Sequence, residues 1–135
     1  MGKGMSMKRF VVNVADGVQG KLPVAEGGGT FRILIDEESS GAQHFSLLVN
    51  EMAPGYNGKE HSHNVEHCWY VLQGTGIIRM EGKEYAIKPG DAIFAPAGMR
   101  HSIECTGDDP LRYVVVYAPS GPERELRRQT GFAKP

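Results

Sequence analysis

The segment HSHNVEH, which places His61, His63 and His67 close together, is the part of the sequence best suited to chemistry. Because side chains alternate along a β-strand, His61 and His63 would face the same side, with Cα atoms about 6–7 Å apart. Two imidazoles at that spacing can converge on one ion through metal–nitrogen bonds of about 2.0–2.1 Å. His67 follows a short bend, so its side chain can point into the same cavity. The segment therefore predicts a metal site.

Two other interpretations of the segment stay open on spacing alone. The histidines could be solvated on a polar surface strand, or they could form a closed structural zinc site, although cysteine usually contributes to such sites. Other catalytic arrangements find less support, because no Ser/His/Asp triad is legible and no pair of carboxylates is spaced for glycosidase-type work.

The elements that would position these histidines are short strands separated by turns. Eighteen glycines and eight prolines cut the chain into short pieces, which favours an all-β architecture. Strands at this spacing are typical of a sandwich or barrel. We predict strands over residues 31–35, 43–52, 67–73, 77–80, 84–88, 91–95, 100–106 and 111–118.

The length of 135 residues suits one domain. Its three expected parts are an N-terminal arm, a β-barrel domain and a C-terminal helix with its tail: residues 1–29, 30–118 and 119–135. We predict one short arm strand near Phe10 to Val14. Ser120 and Glu123 fit a capping box, so we also predict a short helix over residues 123–129 that covers a barrel end or touches a second subunit.

Two stretches of the sequence resemble the two motifs of the cupin superfamily. Residues 55–74 read G-x5-H-x-H-x3-H-x6-G, which is similar to the first motif, G-x5-H-x-H-x3,4-E-x6-G. Residues 90–105 read G-x5-P-x-G-x2-H-x3-C, which is similar to the second, G-x5-P-x-G-x2-H-x3-N. The chain departs from the motifs at His67, where the family has Glu, and at Cys105, where it has Asn.

The resemblance implies a double-stranded β-helix (jelly-roll-like) barrel with one divalent metal ion inside one end. It implies the ligands His61, His63, His67 and His101, as in a four-histidine subgroup of small cupins that bind manganese or related metals and are associated with oxygenase-type chemistry. Glu66 competes with His67 but breaks the motif spacing. Imidazole ligands suit Zn, Cu, Fe and Ni, and the resemblance adds Mn, so we favour Mn or Fe and keep Zn, Ni or Cu as alternatives.

Such a site supports two classes of function. The first is a metal-dependent enzyme of the dioxygenase or oxidoreductase type, acting on a small oxygenated organic substrate chelated to the ion, with an isomerase or lyase working through an enolate as the runner-up. The second is a non-catalytic cupin that binds a small ligand or the metal itself. Four neutral ligands leave the full 2+ charge on the ion, which favours Lewis-acid chemistry. The lack of a clear acid/base residue weighs against an enzyme.

Five further residues are expected in the cavity wall: Trp69, Phe94, Met99, Ile103 and Cys105. Ile103 and Cys105 share a strand face with His101, and Met99 precedes that histidine in the turn. Any of them could instead be plain core, and Cys105 is better interpreted as a small hydrophobe than as a reactive thiol. Cys68 would face the other way, so no disulfide with Cys105 is expected.

Two strands with both faces apolar indicate that the outer surface of their sheet is covered. CWYVL at residues 68–72 and YVVVY at 113–117 lack the polar alternation of a one-sided antiparallel sheet. Either the N-terminal arm or a partner would cover this face, and we predict a homodimer.

Composition excludes several other partners. The formal net charge is -1 and no basic patch stands out, so nucleic acid and anionic membranes are not expected. No apolar run approaches the roughly 18 residues of a membrane span. Two cysteines do not make a disulfide framework, and the first residues lack the apolar region of a secretory signal. We therefore expect a cytoplasmic protein.

Overall fold

The computed structural model describes residues 8–22, 25–26 and 28–130. Its helices are α1 (Glu37–Ser40) and α2 (Pro122–Thr130). Its strands, β1 to β11 in chain order, are Val18–Lys21, Ala25–Glu26, Gly29–Ile35, Ser46–Met52, Asn57–Gly58, Glu66–Gln73, Gly76–Met80, Lys83–Ile87, Ala92–Ala95, His101–Cys105 and Leu111–Ala118.

The strands form two antiparallel sheets that enclose one core. The first sheet has the order β1-β3-β4-β11-β6-β9, and the second has the order β2-β5-β10-β7-β8. Alternate residues of the central strand β11 are buried, from Leu111 at one end to Tyr117 at the other. The predicted all-β jelly-roll-like barrel is therefore confirmed, and most strands fall within a few residues of their predicted bounds. No helix in the described part of the chain is long and apolar enough to cross a membrane.

The hairpin β7–β8 shows how local sequence sets the register. Glu81 and Gly82 form its two-residue turn, and both have positive φ angles, 51° and 76°. Two-residue turns of this kind match the right-handed twist of the strands they join, and glycine adopts such angles without strain. The turn falls between the predicted strands 77–80 and 84–88 and is one residue shorter than that gap, because Lys83 already pairs with Met80.

The N-terminal segment differs from the expectation. The strand predicted near Phe10 to Val14 is wrong: Asn13 caps a single 3-10 turn at Val14–Asp16, and the arm strand is β1. Phe10 is 87% exposed because no strand pairs with it. The expected arm and tail include residues 1–7, 23–24, 27 and 131–135, which lie outside the described residues.

The C-terminal helix begins at Pro122, one residue before the predicted start, and its cap differs from the predicted capping box. The Glu123 carboxylate accepts hydrogen bonds from the Gly121 N–H and the Ser46 hydroxyl, both at 2.8 Å, so Ser120 is not the partner. Proline is favoured at the first helical position because its missing N–H would be unpaired there. The helix packs against β1 and buries Leu126 in the core.

A buried ion pair fixes this helix to the barrel. Arg127 donates from Nε to Asp36 Oδ2 at 2.7 Å and from Nη2 to Oδ1 at 3.0 Å. Both side chains are at least nine-tenths buried. Burial raises the pKa of Asp36, but hydrogen bonds from Arg127 and Ser39 outweigh it and hold the pKa below its usual value. The pair therefore favours the ionised carboxylate in the folded state.

We expect Arg127→Leu to lower the free energy of unfolding by about 3 kcal/mol, because it leaves the buried Asp36 charge without this partner. The matched control is Arg124→Leu, which breaks only an exposed pair with Glu37 and should change stability by less than about 0.5 kcal/mol. Urea unfolding at pH 7 measures both values.

The same comparison has a pH dependence of known sign. Asp36 has a lowered pKa in the folded protein, so its contribution is present above the ordinary carboxyl pKa and is lost as the pH falls through the lowered value. The difference in free energy of unfolding between wild type and Arg127→Leu should therefore become smaller at acidic pH. Equal stability of the two proteins at pH 7 would contradict this account of the ion pair.

Candidate metal centre

Four histidine rings meet at one end of the barrel. The ring centroids of His61 and His101 lie 4.6 Å apart, and those of His61 and His63 lie 5.0 Å apart. The His67 ring is 5.3 Å from both the His63 ring and the His101 ring. The structure thus brings together all four histidines that the sequence singled out.

Backbone pairing, rather than a continuous strand, places His61. His61 and His101 form an isolated antiparallel bridge, with each N–H donating to the other's carbonyl at 2.9 and 2.8 Å. The carbonyl of His63 accepts a hydrogen bond from Gly98 N–H at 2.7 Å. The segment between His61 and His63 is irregular and does not have the expected strand geometry. Its position is set instead by the backbone hydrogen bonds to His101 and Gly98, which both belong to the second cupin-like motif.

Alternation in β6 turns His67, rather than Glu66, toward the other histidines. His67 is 4% exposed and faces inward with Trp69, whereas Glu66 is exposed. The His67 ring packs between Trp69, at 3.8 Å between centroids, and Tyr117, at 4.5 Å. These aromatic contacts fix the orientation of an imidazole that has no polar anchor among the described residues.

Two of the histidines have their tautomers set by backbone carbonyls. Nδ1 of His61 donates to the Lys59 carbonyl at 2.9 Å, and Nδ1 of His101 donates to the Met99 carbonyl at 3.0 Å. A carbonyl can only accept, so these Nδ1 atoms carry the hydrogen and Nε2 keeps its lone pair. Metal-binding histidines commonly make such outer contacts, which orient the ring and raise its basicity.

The buried rings are neutral at pH 7. Burial, together with the nearby His61 and His101 rings, lowers the pKa of His63 to about 4. Burial and His61 likewise lower the pKa of His101 to about 4. The pKa of His67 lies well below its usual range, mainly because of burial. Neutral imidazoles present lone pairs, which is the form that binds a metal ion.

The arrangement fits a divalent transition-metal ion. One ring nitrogen from each of His61, His63 and His101 lies within 4.8 Å of the others. Nε2 of His101 and both ring nitrogens of His67 are buried without a hydrogen-bond partner in the described part of the chain. Unpaired buried polar atoms are unfavourable, and an ion would satisfy them. His67 lies outside the closest group of three but adjoins it.

A cavity of about 320 Å³ extends from the histidines into the barrel. This volume is within the range of small-molecule sites. Its wall is mainly apolar and aromatic, and it includes Trp69, Ile103, Met52, Tyr56, Tyr113 and Tyr117. Helix α2 closes one side with Leu126 and Glu125.

Of the five residues expected in the wall, Trp69 and Ile103 line this cavity. Phe94 does not, because Ala95 is the inward residue of β9 and Phe94 is therefore 54% exposed on the outer face. Met99 faces a separate outer hollow beside Phe94. Cys105 is buried deeper, with Sγ 3.4 Å from the Asp109 carbonyl, and both cysteines are free thiols.

Sequence reasoning missed the polar residues of the wall. Asn50 and Tyr113 are cross-strand partners that both face inward, and Tyr56 lies opposite them. The alternation of Ser46, Leu48 and Asn50 along β4 was the signal that could have placed Asn50 inside. No local signal points to Glu125, because it reaches the cavity only through the docking of α2.

Comparisons with known proteins agree with this geometry. Residues 48–117 match the family model described as a cupin domain. The tetracenomycin polyketide synthase protein TcmJ from Streptomyces glaucescens is 34% identical over 105 residues, which are 77% of this chain and 70% of that protein. A 5-nitrosalicylic acid 1,2-dioxygenase from Bradyrhizobium is 38% identical over 63 residues, covering 46% of this chain and 30% of that protein.

Two solved structures share the fold. The polyketide cyclase RemF from Streptomyces resistomycificus has a TM-score of 0.72 and 32% identity, over 87% of this chain and 82% of its own. A predicted oxalate decarboxylase from Thermotoga maritima has a TM-score of 0.73 and 26% identity, over 82% of this chain and 100% of its own.

We expect purified wild-type protein to contain about one transition-metal ion per chain and His101→Ala to contain much less, because the variant loses one of four imidazole ligands and the backbone contact at Met99 that orients it. His44→Ala is the control, since His44 is exposed and outside both motifs. Elemental analysis after reloading and desalting measures the content.

The pair His67→Ala and Glu66→Ala tests the fourth ligand. Loss of metal affinity in His67→Ala with no change in Glu66→Ala is the expected result, because the imidazole faces inward and the carboxylate faces solvent. The opposite pattern would show that Glu66 is the ligand.

Proposed function

We propose that this chain, which belongs to the cupin family, is a metal-dependent enzyme that acts on a small oxygenated organic substrate by dioxygenase or oxidoreductase chemistry. The observation that carries the proposal is the convergence of four histidines, three of them with lowered pKa, at one end of a mainly apolar cavity. The similarity to a 1,2-dioxygenase over 63 residues supports the reaction class.

The four histidines would hold the ion, and we propose Mn or Fe ahead of Zn, Ni or Cu. A bound divalent ion would supply Lewis acidity toward substrate oxygens and, as Mn or Fe, the capacity to activate dioxygen. His61 and His101 are pre-oriented by their carbonyl contacts, and His67 is oriented by Trp69 and Tyr117. These contacts keep the donor atoms in place before any ligand arrives.

The cavity wall would bind the substrate and exclude water. Trp69, Ile103 and Tyr117 lie beside the histidines and offer flat apolar surface to a planar molecule. Electrostatic interactions are stronger in such a dry site than in solvent. The contact between the substrate oxygens and a bound metal ion would therefore largely determine how the substrate is oriented. Small-molecule sites of this type combine an apolar wall with a few placed polar groups.

A second candidate function is enolate chemistry, as in an isomerase, lyase or cyclase. The matches to a polyketide synthase protein and to a polyketide cyclase favour it, since each covers at least 77% of this chain. Such chemistry needs a group that moves a proton, and Glu125 is the carboxylate among the cavity-lining residues. Its side chain is 63% exposed and accepts a hydrogen bond from Arg128 at 3.0 Å, so it would have to turn from Arg128 toward the substrate to act. The non-catalytic ligand-binding alternative is favoured by the similarity to an oxalate-binding protein from Thermotoga maritima, which is 37% identical over 67 residues, covering 49% of this chain and 55% of that protein.

Oxygen consumption separates the two reactions. Mn- or Fe-loaded protein should consume oxygen in the presence of a catechol, a flavonol or a β-diketone, and His101→Ala should lose this activity. An oxygen electrode measures the rate, with the metal-stripped protein as control. Turnover without oxygen uptake in an anaerobic cuvette would favour enolate chemistry, and no product from any of these compounds would contradict the enzyme assignment.

We also propose that the protein is a cytoplasmic homodimer whose interface is the outer face of β6, β9 and β11. Tyr70, Leu72 and Phe94 are 47%, 44% and 54% exposed on this face, and neighbouring exposed apolar side chains of this kind are typical of interaction surfaces. The described arm residues pack elsewhere, with Gly17 against Leu34 on β3. The described arm residues therefore leave this face uncovered.

We expect wild-type protein to sediment as a dimer at micromolar concentration and Leu72→Lys to sediment as a monomer, because a buried lysine charge would oppose association. The control is Val11→Lys, since Val11 is 91% exposed and lies in the arm, outside strands β6, β9 and β11. A monomeric wild type in analytical ultracentrifugation would contradict the dimer.

A further inference from the structure

A polar group without a partner lies in the cavity wall away from the histidines. Asn50 is 5% exposed and lines the cavity. Its side chain is hydrogen-bonded to the Tyr113 hydroxyl, but its Oδ1 atom is buried with no partner among the described residues. A carbonyl oxygen can only accept, so this atom calls for a hydrogen-bond donor in the cavity.

Sheet register fixes the distance between this acceptor and the histidines. Along β11, Tyr117 pairs with His67 on one side, whereas Tyr113 pairs with Asn50 on the other. The two tyrosines are four positions apart, which corresponds to about 13 Å along the strand. The acceptor and the ring cluster therefore lie toward opposite ends of one cavity.

The wall between these two ends is apolar. Trp69 and Ile103 lie between them, and Met52 and Tyr56 close the end near Asn50. A molecule that touches both ends must therefore be elongated and mainly apolar along its length. A planar aromatic skeleton meets this requirement, because stacked and edge contacts with Trp69 and Tyr56 would replace water.

The contact with Tyr113 explains only part of the Asn50 side chain. Leucine at position 50 would leave the buried Tyr113 hydroxyl without this partner, so one end of the amide has a structural role, but that role does not account for the unpaired Oδ1. The hydrogen bond to Tyr113 accounts for one end of the amide and holds it in place. It leaves the oxygen available to a ligand.

We propose that Asn50 is a specificity-determining residue, whose Oδ1 accepts a hydrogen bond from a phenolic hydroxyl at the far end of an elongated aromatic substrate. The substrate's other, oxygen-bearing end would lie at the histidines, and that half of the assignment rests on the proposed function. The substrate class is thus a hydroxylated aromatic with oxygen groups at both ends.

The test compares two probes that differ by one hydroxyl group, 3-hydroxyflavone and 3,4′-dihydroxyflavone. Both carry the same keto-hydroxyl pair at one end, and the second adds a hydroxyl at the far end. We expect wild-type protein to bind the dihydroxy compound about three- to tenfold more tightly, the usual net effect of one hydrogen bond. In Asn50→Leu the ratio of the two dissociation constants, measured by fluorescence titration, should fall to about one.

Two further variants keep the test decisive. Met52→Leu changes the same wall without removing the acceptor, so it should preserve the ratio even if both affinities shift. Asn50→Leu/Tyr113→Phe replaces both members of the hydrogen-bonded pair and serves if the single variant is unstable in thermal unfolding. A preference retained in either Asn50 variant would overturn the assignment.

Titrations of metal-loaded and metal-stripped protein separate this inference from the proposed function. Equal binding of the two probes by wild type in both states, or binding of neither, would overturn the role of Asn50. A preference for the dihydroxy compound that is independent of metal loading would support Asn50 as the acceptor, while contradicting a substrate chelated to the ion.

Discussion

The register of β11 between β4 and β6 is the constraint on which the site depends. Side chains alternate with a period of two, so a slip of one residue would turn every inward residue of this strand outward. In the observed register Tyr117 stands beside His67, and Tyr113 stands beside Asn50. The same pairing pattern therefore places Tyr117 against the His67 ring and Tyr113 against the Asn50 amide. It also turns Val115, which lies between the two tyrosines, toward the core.

The histidine cluster is placed where its own burial works against the folded state. Burial holds the pKa of His63 and of His101 near 4, whereas an imidazole in the unfolded chain has a pKa of about 6.5. Below about pH 6.5 the unfolded chain therefore binds protons that these rings do not bind in the folded state, and this lowers the free energy of unfolding. The polar atoms left unpaired on His67 and His101 add to this unfavourable contribution. The rest of the barrel must offset it, and an ion would contribute binding free energy to folding.

Spacing alone identified His61, His63 and His67 because metal coordination imposes residue types at short fixed intervals. His101 is distant in sequence and was implied only by the resemblance to the second cupin motif. Sequence reasoning placed His61 on a continuous strand, whereas the chain there is irregular and is held by the bridge to His101. Phe94 shows the weakness of short strands, where a shift of one residue changes the face. Asn50 could have been placed inside from the alternation along β4. Glu125 and the Asp36–Arg127 pair depend on contacts distant in sequence, so local patterns could not reveal them.

Helix α2 links the stability of the fold to the shape of the cavity. Leu126 belongs to the core, Glu125 lines the cavity, and Arg127 is bound to Asp36, so three successive residues serve three purposes. Asp36 also accepts a hydrogen bond from the Ser39 N–H in α1. The Ser39 hydroxyl in turn contacts the Leu34 carbonyl on β3, so the ion pair is connected to the first sheet. Because the helix is only nine residues long, its own propensity contributes little, and tertiary contacts must hold it. The ion pair at Arg127 thus helps to determine which wall the cavity has, although it lies outside the cavity itself.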